Sequence, residues 1–169
     1  MKNIVLIGMP GAGKSTIGVI LAKTLGMHFV DTDLIIQENE NMLLQDIINS
    51  GGINKFIAIE EKCILSLDCK ETVIATGGSV VYSTKAMEHL KQKGTIIYFK
   101  LGIEEIIKRI NNIKTRGIVL DKGQSLIDIY NQRVPLYEKY SDITVDCTDK
   151  GVEDVIQIIK NEIETKLPS

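Results

Sequence analysis

Gly8-Met9-Pro10-Gly11-Ala12-Gly13-Lys14-Ser15-Thr16 is the stretch on which the reading of this chain turns. It fits G-x-x-x-x-G-K-[ST], the phosphate-binding loop. Before it stands Ile4-Val5-Leu6-Ile7, a short apolar β-branched run that reads as a buried strand. After it, Ile17, Ile20, Leu21, Ala22 and Leu25 recur at helical spacing from Ser15 to Leu25. Strand, glycine loop and helix is the order that phosphate binding requires. Glycines let backbone N–H groups turn inward around phosphate oxygens, and the helix N-terminus adds partial positive charge. Gly11, Ala12, Gly13, Lys14, Ser15 and Thr16 are therefore the candidate nucleotide contacts. Lys14 is placed to reach the β- and γ-phosphates of a nucleoside triphosphate, and the Ser15 hydroxyl to ligate Mg²⁺.

The 169 residues fit one domain, spanning 1–169, with a substantial core. Hydrophobic residues make up 44% and charged residues 25%, the balance of a soluble globular protein. A formal net charge of −2 gives no basic face for nucleic acid. No apolar run approaches the roughly 20 residues that span a bilayer. Met1 leads directly into the first strand, so no signal peptide is expected. Cys63, Cys69 and Cys147 lack zinc-site spacing and read as reduced thiols of a cytoplasmic protein. His28 and His89 match no metal or triad spacing.

Along the chain, Phe29-Val30 reads as a second strand ending at Asp31-Thr32-Asp33. Helical segments follow at Leu34 to Glu38 and Met42 to Ile48; Ser50-Gly51-Gly52 breaks the pattern before another helix from about Ile53 to Leu67. Thr72 to Ala75 is a third strand, ending in Thr76-Gly77-Gly78-Ser79. A helix from Ser83 to Lys93, a strand from Thr95 to Phe99 and an amphipathic helix carrying Ile103, Ile106, Ile107 and Ile110 come next. The polar stretch of about 112–124 is a lid candidate. Leu126 to Tyr140 is helical on both sides of Pro135, which is expected to kink or divide it. Ile143-Thr144-Val145 is a fifth strand, and Val152 to Leu167 a closing helix. Strands alternating with helices predict an α/β fold, a parallel sheet covered on both faces.

Ligands in such sheets lie outside the carboxyl ends of the strands. The glycine loop, Asp31-Thr32-Asp33 and Gly77-Gly78-Ser79 all stand at strand ends and should converge. One aspartate can serve the Mg²⁺ water shell and the other orient a nucleophile; strand-end capping is the plain structural alternative. Gly77 and Gly78 suggest close backbone approach to a ligand. Of the 20 Lys and Arg residues only three are Arg, namely Arg109, Arg116 and Arg133, all in the lid or its flanking helices. A rigid guanidinium fork suits the charge that spreads over a transferring phosphate.

Taken together, these residues resemble the shikimate kinase family over essentially the whole chain. The marks are the loop at 8–15, Phe29-Val30-Asp31-Thr32-Asp33, Ala75-Thr76-Gly77-Gly78, Arg109, Arg116, and Arg133-Val134-Pro135-Leu136-Tyr137 followed by Asp142. The resemblance implies a P-loop three-layer α/β/α fold with sheet order 2-3-1-4-5 and a lid. It also implies MgATP-dependent phosphorylation of a small hydroxylated acid, with ATP and Mg²⁺ as cofactors. By that likeness Asp31 serves the metal together with Ser15, and Asp33 binds the acceptor hydroxyls. Arg116 reaches the transferring phosphate, Arg109 lies near adenine, and Arg133 pairs with the acceptor carboxylate. Lys14, Asp33 and Arg116 are then the catalytic set, and Asp33, Gly77, Gly78 and Arg133 the acceptor set.

The chain departs from the family pattern in three places. Ile57 stands where the family carries a carboxylate-clamping Arg, Ser79 replaces the third glycine, and the lid reads Arg116-Gly117-Ile118-Val119. Ile57 also leaves Glu60, one turn along the same helix face, without that Arg. An unpaired Glu60 carboxylate is expected to repel a carboxylate acceptor and weaken its binding. Phosphorylation of shikimate, of another small polyol or metabolite, and a nucleotide-dependent switch therefore all stay open. A Ras-type GTPase is disfavoured by the lack of D-x-x-G, and a nucleoside monophosphate kinase by the absence of Arg from 29 to 79. A monomer acting on a small molecule, without nucleic acid or membrane, is the expectation.

Overall fold

Ile4 to Ile7 have no polar face, and the strand they form, β1 (Asn3–Ile7), is buried along its whole length. A strand buried on both faces must lie inside a sheet with helices above and below. The computed structural model describes residues 2–111 and 124–166. Within them β1 is the centre of a five-stranded sheet with β2 (His28–Asp31), β3 (Thr72–Ala75), β4 (Gly94–Lys100) and β5 (Ile143–Asp146). The order is β2-β3-β1-β4-β5, as the family likeness implied. All pairings are parallel, with Val5 opposite Ile74 on one side and Ile96 on the other.

Parallel neighbours need crossovers, and helices supply them. They are α1 (Lys14–Leu25), α2 (Thr32–Glu40), α3 (Leu44–Ser66), α4 (Thr84–Lys93), α5 (Ile103–Asn111), α6 (Leu126–Tyr140) and α7 (Val152–Lys166). α1 packs with α7, and α3 packs with α4. The main core runs from β1 through Leu21, Ile64, Met87, Ile97 and Phe99 to Tyr137 and Ile159. Ile36, Ile47, Ile48, Phe56 and Cys63 form a smaller cluster between α2 and α3.

The expected break at Ser50-Gly51-Gly52 falls at Gly52, whose non-helical φ of 76° and ψ of 174° kink α3 into two helical stretches. Only glycine adopts that conformation at little cost. Pro135, by contrast, does not divide α6, which continues from Leu126 to Tyr140. The buried side chains of Arg133 and Tyr137 on either side hold the helix in place, and such packing offsets the lost backbone hydrogen bond. A 3₁₀ turn at Val80–Tyr82, which periodicity did not predict, joins β3 to α4. The lid stretch from 112 to 123, with Arg116, lies outside the described residues.

Candidate active site

The glycine loop turns sharply from β1 into α1. Gly8, Gly11 and Gly13 have φ of 148°, 82° and 92°, values that side chains resist. Gly13 caps α1 in the left-handed region with no side-chain hydrogen bond to the first turn. The amide groups of that turn are thus left for an anion, reinforced by the helix dipole. Ala12 is buried and donates its N–H to Met9 O at 3.2 Å, which closes the loop. Lys14 is buried, and its Nζ donates to Gly8 O at 2.7 Å and Met9 O at 2.9 Å, so the ammonium lies under the loop. Ser15 and Thr16 are exposed on the first turn of α1.

β2 delivers its carboxylates beside this loop. Asp31 Oδ2 accepts a hydrogen bond from Ser15 Oγ at 2.6 Å, while Oδ1 accepts from Asp33 N–H at 3.0 Å. Asp31 is therefore both the N-cap of α2 and a partner of the loop hydroxyl. Mg²⁺ beside a triphosphate keeps most of its waters and takes few protein ligands. The Ser15–Asp31 oxygen pair fits that demand. Among the described residues no group of three or more His, Cys, Asp or Glu could hold a metal.

Asp33, Gly77, Gly78 and Arg133 all line one cleft of about 260 Å³, together with Lys14, Ser15 and Asp31. The glycines are required by close approach. A Cβ on Gly77 would stand 2.7 Å from Glu60 Oε2 and 2.8 Å from Asp33 Oδ1; on Gly78 it would stand 2.8 Å from Arg133 Nη1 and from Pro10 Cδ. Arg133 is 1% exposed despite its charge. Its Nε donates to Tyr82 Oη at 3.2 Å, and its guanidinium lies 5.2 Å from the Tyr82 ring centroid. Tyr137 Oη donates to Gly78 O at 2.6 Å and pins the glycine strand-end to α6. Arg109 sits apart from the cleft, its Nη1 donating to Gly11 O at 3.3 Å and its Nε to Glu105 Oε1 at 3.2 Å. That places it against the glycine loop.

Several neighbours escaped the sequence reading. Tyr82 falls in the unpredicted 3₁₀ turn and carried no local signal. Leu34, Gln37, Leu43, Leu44 and Phe56 also line the cleft, and the helical pattern alone did not single them out. Ile57, half-buried, is not among the lining residues. Glu60 is 1% exposed, and Ser79 Oγ donates to its Oε1 at 2.7 Å. Burial, above all, pushes the Glu60 carboxyl up to about 8. Desolvation outweighs the help of Ser79, Arg133 and Lys14, so the site favours the neutral acid over the expected repelling carboxylate.

Loop amides and a lysine on one side of a small-molecule-sized cleft, and a carboxylate with a buried guanidinium on the other, suit transfer of a phosphoryl group to a small acceptor. The class so defined is that of small-molecule phosphotransferases of P-loop type. The shikimate kinase family model matches residues 10–164. The shikimate kinase of Caldanaerobacter subterraneus subsp. tengcongensis is 34% identical over 98% of this chain and 99% of its own. That of Thermodesulfovibrio yellowstonii is 36% identical over 97% of this chain and 96% of its own. Among solved structures, shikimate kinase from Acinetobacter baumannii in complex with shikimate is similar with a TM-score of 0.92 at 30% identity, covering 100% of this chain and 96% of that one. The chain belongs to the shikimate kinase family. It is a kinase that uses ATP with Mg²⁺.

Proposed function

We propose that this kinase phosphorylates shikimate, yielding shikimate 3-phosphate, as a single-domain cytoplasmic monomer. The observation that carries the acceptor assignment is Arg133, a fully buried guanidinium in the cleft wall beside Asp33. A guanidinium in that wall suits a carboxylate-bearing acceptor, which it can hold bidentately. Asp33 accepts a hydrogen bond from the hydroxyl that attacks, orienting it and drawing off its proton. Gly77 and Gly78 let the acceptor ring approach the backbone. Lys14 leaves Gly8 O and Met9 O to stabilise charge on the β- and γ-phosphates, and Ser15 with Asp31 holds Mg²⁺. When bound, MgATP supplies the phosphoryl group. Arg109 closes on the nucleotide side of the loop, and Arg116 serves the transferring phosphate. Three free thiols support a reducing compartment, and among the described residues no helix is long and apolar enough to cross a membrane.

Coupled ADP release with shikimate, quinate and a panel of polyols tests this. Turnover should be fastest with shikimate. A faster neutral polyol would overturn the acceptor, and equal ADP release without acceptor would indicate a nucleotide-driven switch.

A further inference from the structure

Glu60 is a buried acid that the proposed chemistry does not use. It projects from α3 beneath the strand-end glycines, with Ser79 Oγ donating to Oε1 at 2.7 Å. Its other oxygen, Oε2, is buried and has no hydrogen-bond partner among the described residues. Oε2 and Asp33 Oδ1 converge on one point above Gly77, where a Cβ would stand 2.7 Å from one and 2.8 Å from the other. Two ionised carboxylates so placed, out of water, would repel strongly. One proton between them removes that repulsion and gives Oε2 a donor role, and Asp33 is the member that lines the cleft.

We infer that Glu60 is a positioning residue of the acceptor site: a neutral carboxylic acid whose Oε2–H is shared with Asp33 Oδ1, anchored through Oε1 by Ser79. This rests on the shikimate reading above, and it deepens that reading by accounting for the charge balance of the cleft. With Glu60 neutral, no further negative charge is added beside Asp33, and Lys14 and Arg133 stay available to an anionic acceptor.

The groups that face Glu60 are Asp33 on α2, Lys14 on α1, Arg133 on α6, Ser79 after β3 and Cys63 on its own helix. Asp33 disfavours ionisation of Glu60, whereas Ser79, Arg133 and Lys14 favour it; burial decides in favour of the acid, whose carboxyl is raised to about 8. The Cys63 thiol is pushed up to about 11 and stays neutral. As pH rises through the Glu60 transition, a second negative charge forms beside Asp33. Acceptor binding then falls.

The test compares wild-type, Glu60→Gln and Glu60→Ala for kcat/KM with shikimate and for the KM of ATP, across pH. Glutamine mimics the neutral acid, accepting from Ser79 and donating to Asp33; alanine removes both bonds. Glu60→Ala should lower kcat/KM for shikimate by about tenfold or more with the ATP KM unchanged, and Glu60→Gln should restore it to within roughly threefold of wild-type. The wild-type profile should fall above pH ~8, a limb that Glu60→Gln lacks. Infrared difference spectra of wild-type minus Glu60→Gln at pH 7 should show a carboxylic-acid C=O band. Failure of Glu60→Gln to exceed Glu60→Ala, an identical high-pH limb in Glu60→Gln, or absence of that band would overturn the inference. If wild-type protein does not turn over shikimate, the acceptor assignment falls instead, and the infrared band alone decides the state of Glu60.

Discussion

Ser15 and Asp31, 16 residues apart in sequence, share a 2.6 Å hydrogen bond between the first turn of α1 and the last residue of β2. The bond ties the phosphate loop to the neighbouring carboxylate, so hydroxyl and carboxylate are pre-oriented as one oxygen pair. Asp31→Asn should keep the cap of α2 and weaken the metal site. The Mg²⁺ concentration giving half-maximal rate should rise by roughly 10- to 100-fold. Mg²⁺ titration at fixed ATP measures this; an unchanged Mg²⁺ requirement would leave Asp31 a cap alone.

Lys14 is held by two loop carbonyls, so its removal spares the core. Lys14→Ala should lower kcat by about 100-fold or more, the scale of losing a transition-state charge partner. The circular dichroism spectrum should stay that of wild-type. Near-normal kcat would remove Lys14 from phosphate stabilisation.

Gly78 has no room for a methyl group, with Arg133 Nη1 and Pro10 Cδ both 2.8 Å from where it would lie. Proline's ring is rigid, so the guanidinium must move. Gly78→Ala should raise the shikimate KM by roughly tenfold or more, the value of one displaced charge-assisted hydrogen bond, and leave the ATP KM unchanged. Equal changes in both constants would place the strain in the glycine loop instead.

Ile57 and Glu60 are three residues apart on α3, the spacing at which helical side chains meet. Ile57→Arg should pull the Glu60 proton off, since a cation favours the charged form. The new guanidinium is then shared between Glu60 and the acceptor, and the shikimate KM should fall by no more than about tenfold. Loss of the carboxylic-acid infrared band checks the first part, and steady-state kinetics the second.

Glu60 also makes stability depend on pH. Its carboxyl titrates near 4.5 in the ordinary state and at about 8 in the fold. Between those values the native state holds a proton that the unfolded chain has lost. The stabilisation is therefore complete below pH 4.5 and is lost as pH rises through about 8. Urea midpoints of wild-type protein should fall over that window, and those of Glu60→Gln should fall less. Parallel curves would show that Glu60 does not titrate there.

What the sequence determined by itself was everything encoded within a few residues. The loop at 8–15 specifies its own backbone through three glycines, and it sits between an apolar strand and a helix whose periodicities are local. The five strands, the break near Gly52 and the convergence of three strand-ends followed from the same short-range rules, and the three arginines from rarity alone. The family likeness supplied the sheet order and directed attention to Asp31, Asp33 and Arg133. Tertiary structure decided the rest. Pro135 stays within α6 because Arg133 and Tyr137 are buried on either side of it, a packing that no helix propensity contains. Ser79 looked like a mild replacement for glycine until α3 brought Glu60 within 2.7 Å of its hydroxyl. The state of Glu60 depends on desolvation and on charges arriving from α1, α2 and α6. Those are distances between residues remote in sequence, and only the folded chain sets them.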